Sequence, residues 1–180
     1  MTTEINWIHR VSNDSNWICF AGAFELSKVL DLNPVTKELP EGVIICQPIL
    51  IAGLEHLDGI LLQASQHWKR GQFLARNKSI DLLMRVTCKR QISDAIAASG
   101  IKKTDNLAIF GLVDSEAVIE NSMNVLKSHV GVLKVRDELL ALSKSKEKYL
   151  KSFHRLPSWL SRDQLVSALK ENSALLVLSK

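Results

Sequence analysis

Five histidines and three cysteines are the side chains of this chain best suited to hold a metal ion or to attack an electrophile. His9, His56, His67, His129 and His154 are scattered. His56 and His67 could share one side of a helix, but they would sit about three turns apart, too far for a common metal ion. Cys19, Cys46 and Cys88 contain no CxxC pair. Cys46 could meet His56 in space as a nucleophile and its base, but nothing in their spacing favours it. The chain has no GxxxxGK(S/T) loop, no GxGxxG after a strand, no GxSxG elbow, no HExxH and no HRD or DFG set. The expectation is a protein without catalytic residues, metal or cofactor.

Charge offers a different chemistry. Residues 67–90 contain Lys69, Arg70, Arg76, Lys78, Arg85, Lys89 and Arg90 against a single acid, Asp81. That window is therefore +6 in a chain of net charge +4, and everything outside it sums to −2. A phosphate backbone is the commonest partner of such a patch, because each neutralised phosphate releases counterions. The competing reading is an ordinary solvated helix face. Trp68 and Phe73 lie among the cations and could stack bases, though Trp68 continues an apolar face and reads as core.

The elements that carry these residues can be read from periodicity. Segments 5–11 and 16–24 flank Asn13-Asp14-Ser15 and predict a hairpin. Pro34, Pro40 and Gly42 mark 31–42 as a loop, and 43–50 reads as a strand that Pro48 ends or leaves at a sheet edge. Leu54, Leu57, Leu61, Ala64 and Trp68 form one helix face, with Gly71 as its stop. Ser79 is expected to cap a second helix (Ile80, Leu83, Met84). Thr87 is expected to cap a third, in which Ile92, Ala95 and Ile96 face one way until Gly100. Residues 107–113 read as a buried strand, followed by a helix from Asp114 or Ser115 to Gly131. Residues 134–154 read as charged, irregular helix. After Pro157 a last helix starts beyond Ser161, burying Leu165, Leu169 and Leu176.

This order predicts one α+β domain over 1–180, with a small mixed or antiparallel sheet of about four strands against a cluster of helices. The composition, 46% hydrophobic, permits a sizeable core. The odd, unpatterned cysteines point to a reducing cytoplasm. The first residues do not read as a signal peptide, and no apolar run is long enough to span a bilayer.

Several ordered pieces resemble a known family. They are Ala52-Gly53-Leu54-Glu55-His56-Leu57, then Asp81-Leu82-Leu83-Met84, then Cys88-Lys89-Arg90-Gln91-Ile92, then Gly100-Ile101. Together they resemble the TPRKB family, the PRPK-binding subunit of the KEOPS tRNA-modifying complex, and its archaeal members most. The resemblance covers about 43–113, and Ser173-Ala174-Leu175-Leu176 is similar to the family's closing helix. Asp81 stands where the family has Glu, and Cys88 where it has Gly. Segment 134–160 matches poorly and looks expanded.

The resemblance implies a non-catalytic subunit. It would bind the small atypical kinase/ATPase of the complex and recruit tRNA through its 3′ CCA end, while other subunits install threonylcarbamoyl-adenosine beside the anticodon. On that basis Lys89, Arg90 and Gln91 are expected at a helix start, holding phosphate. Lys69, Arg70, Arg76 and Lys78 would line the approach, and His56 would add a donor. Leu83 and Leu176 are the candidate exposed contacts for the kinase, although both also fit a core. The alternative function is a small cytoplasmic interaction or regulatory domain that binds no nucleic acid.

Overall fold

The structure is a computed structural model and describes residues 17–178. Its centre is a four-stranded antiparallel sheet of β1 (Ile18–Leu30), β2 (Val43–Cys46), β3 (Thr104–Val113) and β4 (Leu133–Val135), in the order β2-β3-β1-β4. The helices are α1 (Asn33–Glu38), α2 (Leu54–Lys69), α3 (Lys78–Thr87), α4 (Ile92–Ala98), α5 (Glu116–Val130), α6 (Lys144–Phe153) and α7 (Arg162–Leu178). The α+β architecture expected from the order of elements is the one observed.

Strand alternation sorts the sheet's side chains into two cores. Cys19, Ala21, Ala23, Ile44, Cys46, Ala108, Phe110 and Leu112 face α2 and α3. Phe20, Phe24, Leu26, Val43, Ile45, Leu107, Ile109 and Val113 face α1 and α5. Both faces are covered, so β2 and β3 read as unbroken apolar runs rather than alternating ones. A third, smaller core joins Ala52 to Leu150 of α6 and Leu165, Val166 and Leu169 of α7.

Gly42 locks the α2–α3 layer to the sheet. Its φ is +87°, and a Cβ there would lie 2.6 Å from the Leu112 carbonyl oxygen. Its amide donates to Ser79 Oγ at 3.0 Å, and its own carbonyl accepts from the Leu112 amide at 2.9 Å. Only a residue without Cβ fits this approach.

Several expectations need correction. The first hairpin strand, 5–11, lies outside the described residues; its predicted partner is the start of β1, which runs on to Leu30. The loop at 31–42 contains α1, with Pro34 in its first turn, where a missing N–H is harmless. Strand β2 is shorter than 43–50: it stops at Cys46, ahead of Pro48, which opens a short 3-10 turn, and it lies at the sheet edge. Asn77, not Ser79, caps α3, its side chain accepting from the Ile80 amide at 3.0 Å. Thr87 ends α3 instead of starting α4, and its hydroxyl donates back to Leu83 O at 2.7 Å. On α4 only Ala95 is buried, while Ile92 and Ile96 are exposed. The stretch 134–154 is not one helix: it supplies edge strand β4 and a 3-10 turn before α6.

Candidate nucleic-acid interface

The basic window folds as the end of α2, a loop, α3 and the turn into α4. Its one acid never reaches solvent. Asp81 and Arg85, one helical turn apart, are both fully buried, and Arg85 Nε donates to Asp81 Oδ1 at 2.6 Å. Asp81 Oδ2 accepts from the Leu74 amide at 2.6 Å, tying the loop before α3 to the helix. Arg85 Nη1 lies 3.0 Å from His67 Nδ1. Burial, then the Arg85 and Arg70 charges, hold the His67 imidazole below its ordinary range. Arg85 thus cancels Asp81 inside, and the other six cations of the window carry the whole +6.

Those six fall into two groups. Lys69, Arg70 and Arg76 are exposed around the α2–α3 loop, and Lys78 is half-buried beside them. Lys78 Nζ sits 4.8 Å from the Trp17 ring centroid and 5.5 Å from that of Trp68, within cation–π range. Trp68 packs edge-on to Trp17 and stacks against Phe73, with the ring planes of the second pair 20° apart. Trp68 is buried, as its place on the apolar face predicted.

Lys89, Arg90 and Gln91 form the second group, in the turn between α3 and α4. Gln91 is the N-cap of α4, so the three residues stand at a helix start as expected. That helix has only seven residues, so the side chains and not a long helix dipole set the local charge. Lys89 Nζ lies 4.6 Å from the ring centroid of Phe153, at the end of α6. No spacing argument could pair residues so distant in sequence.

Three predicted site residues are placed where they cannot act as expected. His56 is fully buried; its Nδ1 accepts from the Ala52 amide at 3.1 Å, and it caps the local turn instead of meeting a ligand. Burial, helped by the charges of His154, Lys170 and Lys146, drives its pKa down to about 3. Leu83 and Leu176 are buried at 4% and 8% exposure, so neither forms an exposed apolar contact. Polar α3 surface is scarce because the helix is wedged between β2, α2, α4 and α7. On α7 the exposed apolar side chains are Leu175 and Leu178.

Among the described residues, no group of three or more His, Cys, Asp or Glu is placed to hold a metal ion, and no helix is long and apolar enough to cross a membrane. Burial pushes the Cys46 and Cys88 thiols up to about 12, so neither is a thiolate at neutral pH. No protein-family model matches the chain, and no curated protein matches it.

Proposed function

We propose that this chain is a non-catalytic, TPRKB-type subunit that recruits tRNA through its 3′ CCA end and binds a small atypical kinase/ATPase, within a complex that modifies tRNA beside the anticodon. One observation carries the tRNA part: the basic window keeps its whole +6 outside the core, because its single acid is consumed by buried Arg85. Lys78 over Trp17 and Lys89 over Phe153 add aromatic surface beside the cations. Single-stranded RNA is held by this combination of charge and ring faces. The kinase contact moves from Leu83 and Leu176 to the exposed Leu175 and Leu178 of α7. Free cysteines fit a reducing cytoplasm.

The test is anisotropy of labelled, deacylated tRNA titrated over a range of salt, with intact and trimmed CCA ends. Lys89→Glu/Arg90→Glu should weaken binding by at least about tenfold and lower the salt slope by about two. Unchanged affinity would sink the reading. The second reading, an interaction domain without nucleic acid, draws on exposed apolar Trp159 and Leu178. It wins if wild-type protein captures the kinase but shows no salt-dependent shift with tRNA.

A further inference from the structure

A cleft of about 470 Å³ opens beside the edge strand β2, lined by residues of α1 and of α3 and α4. That volume suits a small molecule. Most of the lining is aliphatic, and no aromatic side chain contributes to it. Val43, Ile45, Leu83 and Ile101 form a floor that belongs to the two sheet cores. Ile80 is half-buried above it, and Ile96 of α4 stands at 43% exposure. Nothing in the fold takes Ile96 out of water, whereas an occupant of the cleft would.

The polar groups of the lining divide into those the fold uses and those it leaves over. Thr36 Oγ1 donates to Asn33 O at 2.8 Å and Ser99 Oγ to Ile96 O at 2.6 Å, so both hydroxyl protons are committed. Asn77 Oδ1 accepts from the Ile80 amide, which leaves the Asn77 N–H groups for an outside acceptor. Ser79 Oγ accepts from the Gly42 amide, which leaves its proton. Glu41 Oε1 accepts from the Lys78 amide at 3.1 Å, and Oε2 is left over. Lys37, in the last turn of α1, pairs neither with Glu41 nor with any other carboxylate among the described residues. One cation and one carboxylate thus line the same aliphatic space without neutralising each other.

We propose that this cleft binds a free aliphatic amino acid, with its carboxylate on Lys37, its ammonium on Glu41 and its side chain on the Val43, Ile45, Leu83 and Ile101 floor beside Ile96. The lining discriminates against other small molecules. A fatty acid would satisfy Lys37 but bring a second carboxylate toward Glu41, and an apolar amine would bring a second cation toward Lys37. A nucleotide needs several cations for its phosphates and a ring for its base, and the lining has one cation and no ring. A sugar has too little apolar surface for these walls. Only a zwitterion with a branched apolar tail answers both charges and the floor together. Neither Lys37 nor Glu41 belongs to the basic window at 67–90, so the site is independent of tRNA binding.

The test is isothermal titration of the full chain with L-leucine, 4-methylpentanoate and 3-methylbutylamine. All three have the same branched tail; the second lacks the ammonium and the third the carboxylate. Leucine should bind with a Kd of about 0.1–1 mM, at least about fivefold tighter than either relative. Serine, with both charges and no tail, should not compete. Glu41→Gln keeps an acceptor for the Lys78 amide and should weaken leucine about three- to fivefold while sparing 4-methylpentanoate. Lys37→Gln should weaken leucine similarly while sparing 3-methylbutylamine. All these side chains are exposed, so the melting temperature of both variants should hold. Equal affinity for the three branched ligands, or leucine binding untouched by both variants, would reduce the cleft to an unselective apolar hollow and overturn the assignment. So would the absence of saturable leucine binding up to about 10 mM, ten times the weakest Kd expected.

Discussion

Arg85 Nε lies 2.6 Å from Asp81 Oδ1, and neither side chain is touched by solvent. The pair is one turn of α3 and also a clamp, since Asp81 holds the Leu74 amide and Arg85 reaches His67 at the end of α2. A buried pair of this kind does not add much over a well-packed apolar replacement, but losing one member strands the other charge. Asp81→Asn should therefore cost about 3–5 kcal/mol. The double variant Asp81→Asn/Arg85→Met should recover a large part of that. Urea unfolding with unchanged m-value is the measurement. A loss under about 1 kcal/mol for the single variant would mean the guanidinium finds water and the pair is not buried.

Cys88 occupies a left-handed position at the end of α3, with φ of 51°. Its thiol is mostly covered and donates to Arg85 O at 3.4 Å. Packing and backbone strain therefore oppose each other in any single substitution. Comparing two separates them. Cys88→Ala and Cys88→Gly both lose the thiol, but only glycine relieves the left-handed Cβ. The glycine variant should be the more stable of the two by about 1 kcal/mol. Equal thermal stability of the two variants would show that Cys88 carries no such strain.

Much of the fold is legible in the sequence because its signals are local. The face Leu54, Leu57, Leu61, Ala64 and Trp68 repeats with helical period, and all but Leu54, which opens α2 at 39% exposure, are buried. The apolar run at 107–113 is strand β3, and the helix predicted after it is α5. The failures have non-local causes. Leu133–Val135 is too short to announce itself and becomes a strand only because the Phe24–Leu26 edge of β1 is free to pair. Leu83 and Leu176 carry the same local pattern whether a partner protein or this chain covers them. Arg85 reads in the sequence as one more surface cation of the basic window, although an acid four residues earlier on the same helix is the signal of an internal pair. The pairing of Lys89 with Phe153 had no local signal at all.

His56 links pH to stability. Folding lowers its pKa from an ordinary 6.5 to about 3, chiefly by burial. Between those values the unfolded chain binds a proton that the native chain does not. Its stabilising contribution is thus complete above about pH 6.5 and is lost as pH falls toward about 3, at up to about 1.4 kcal/mol per pH unit. His56→Asn keeps an acceptor for the Ala52 amide and removes the titration. The variant should be less stable at neutral pH and show an acid limb shallower by about one proton. Parallel limbs in urea titrations between about pH 4 and pH 6 would assign the acid sensitivity to other groups, His154 first among them.

The kinase-contact assignment can be tested by contrasting a buried with an exposed leucine. Leu83 is 4% exposed and packs in the core shared by the sheet, α2 and α3. Leu83→Glu would bury a charge with no partner, so it should unfold the protein or cost several kcal/mol. Any loss of kinase binding by that variant says nothing about the interface. Leu178 is 79% exposed at the end of α7, with Leu175 three residues before it at 47%. Leu178→Glu should change stability by no more than about 0.5 kcal/mol. If α7 carries the kinase, the same variant should lose pull-down of the kinase by at least about tenfold, as truncating a central interface anchor does. It should also keep its tRNA affinity, because Leu178 lies on α7, outside the basic window at 67–90, whereas Leu175 shares a cleft with Lys89 and Arg90. Full kinase capture by the folded Leu178→Glu and Leu175→Glu variants would remove α7 from the interface.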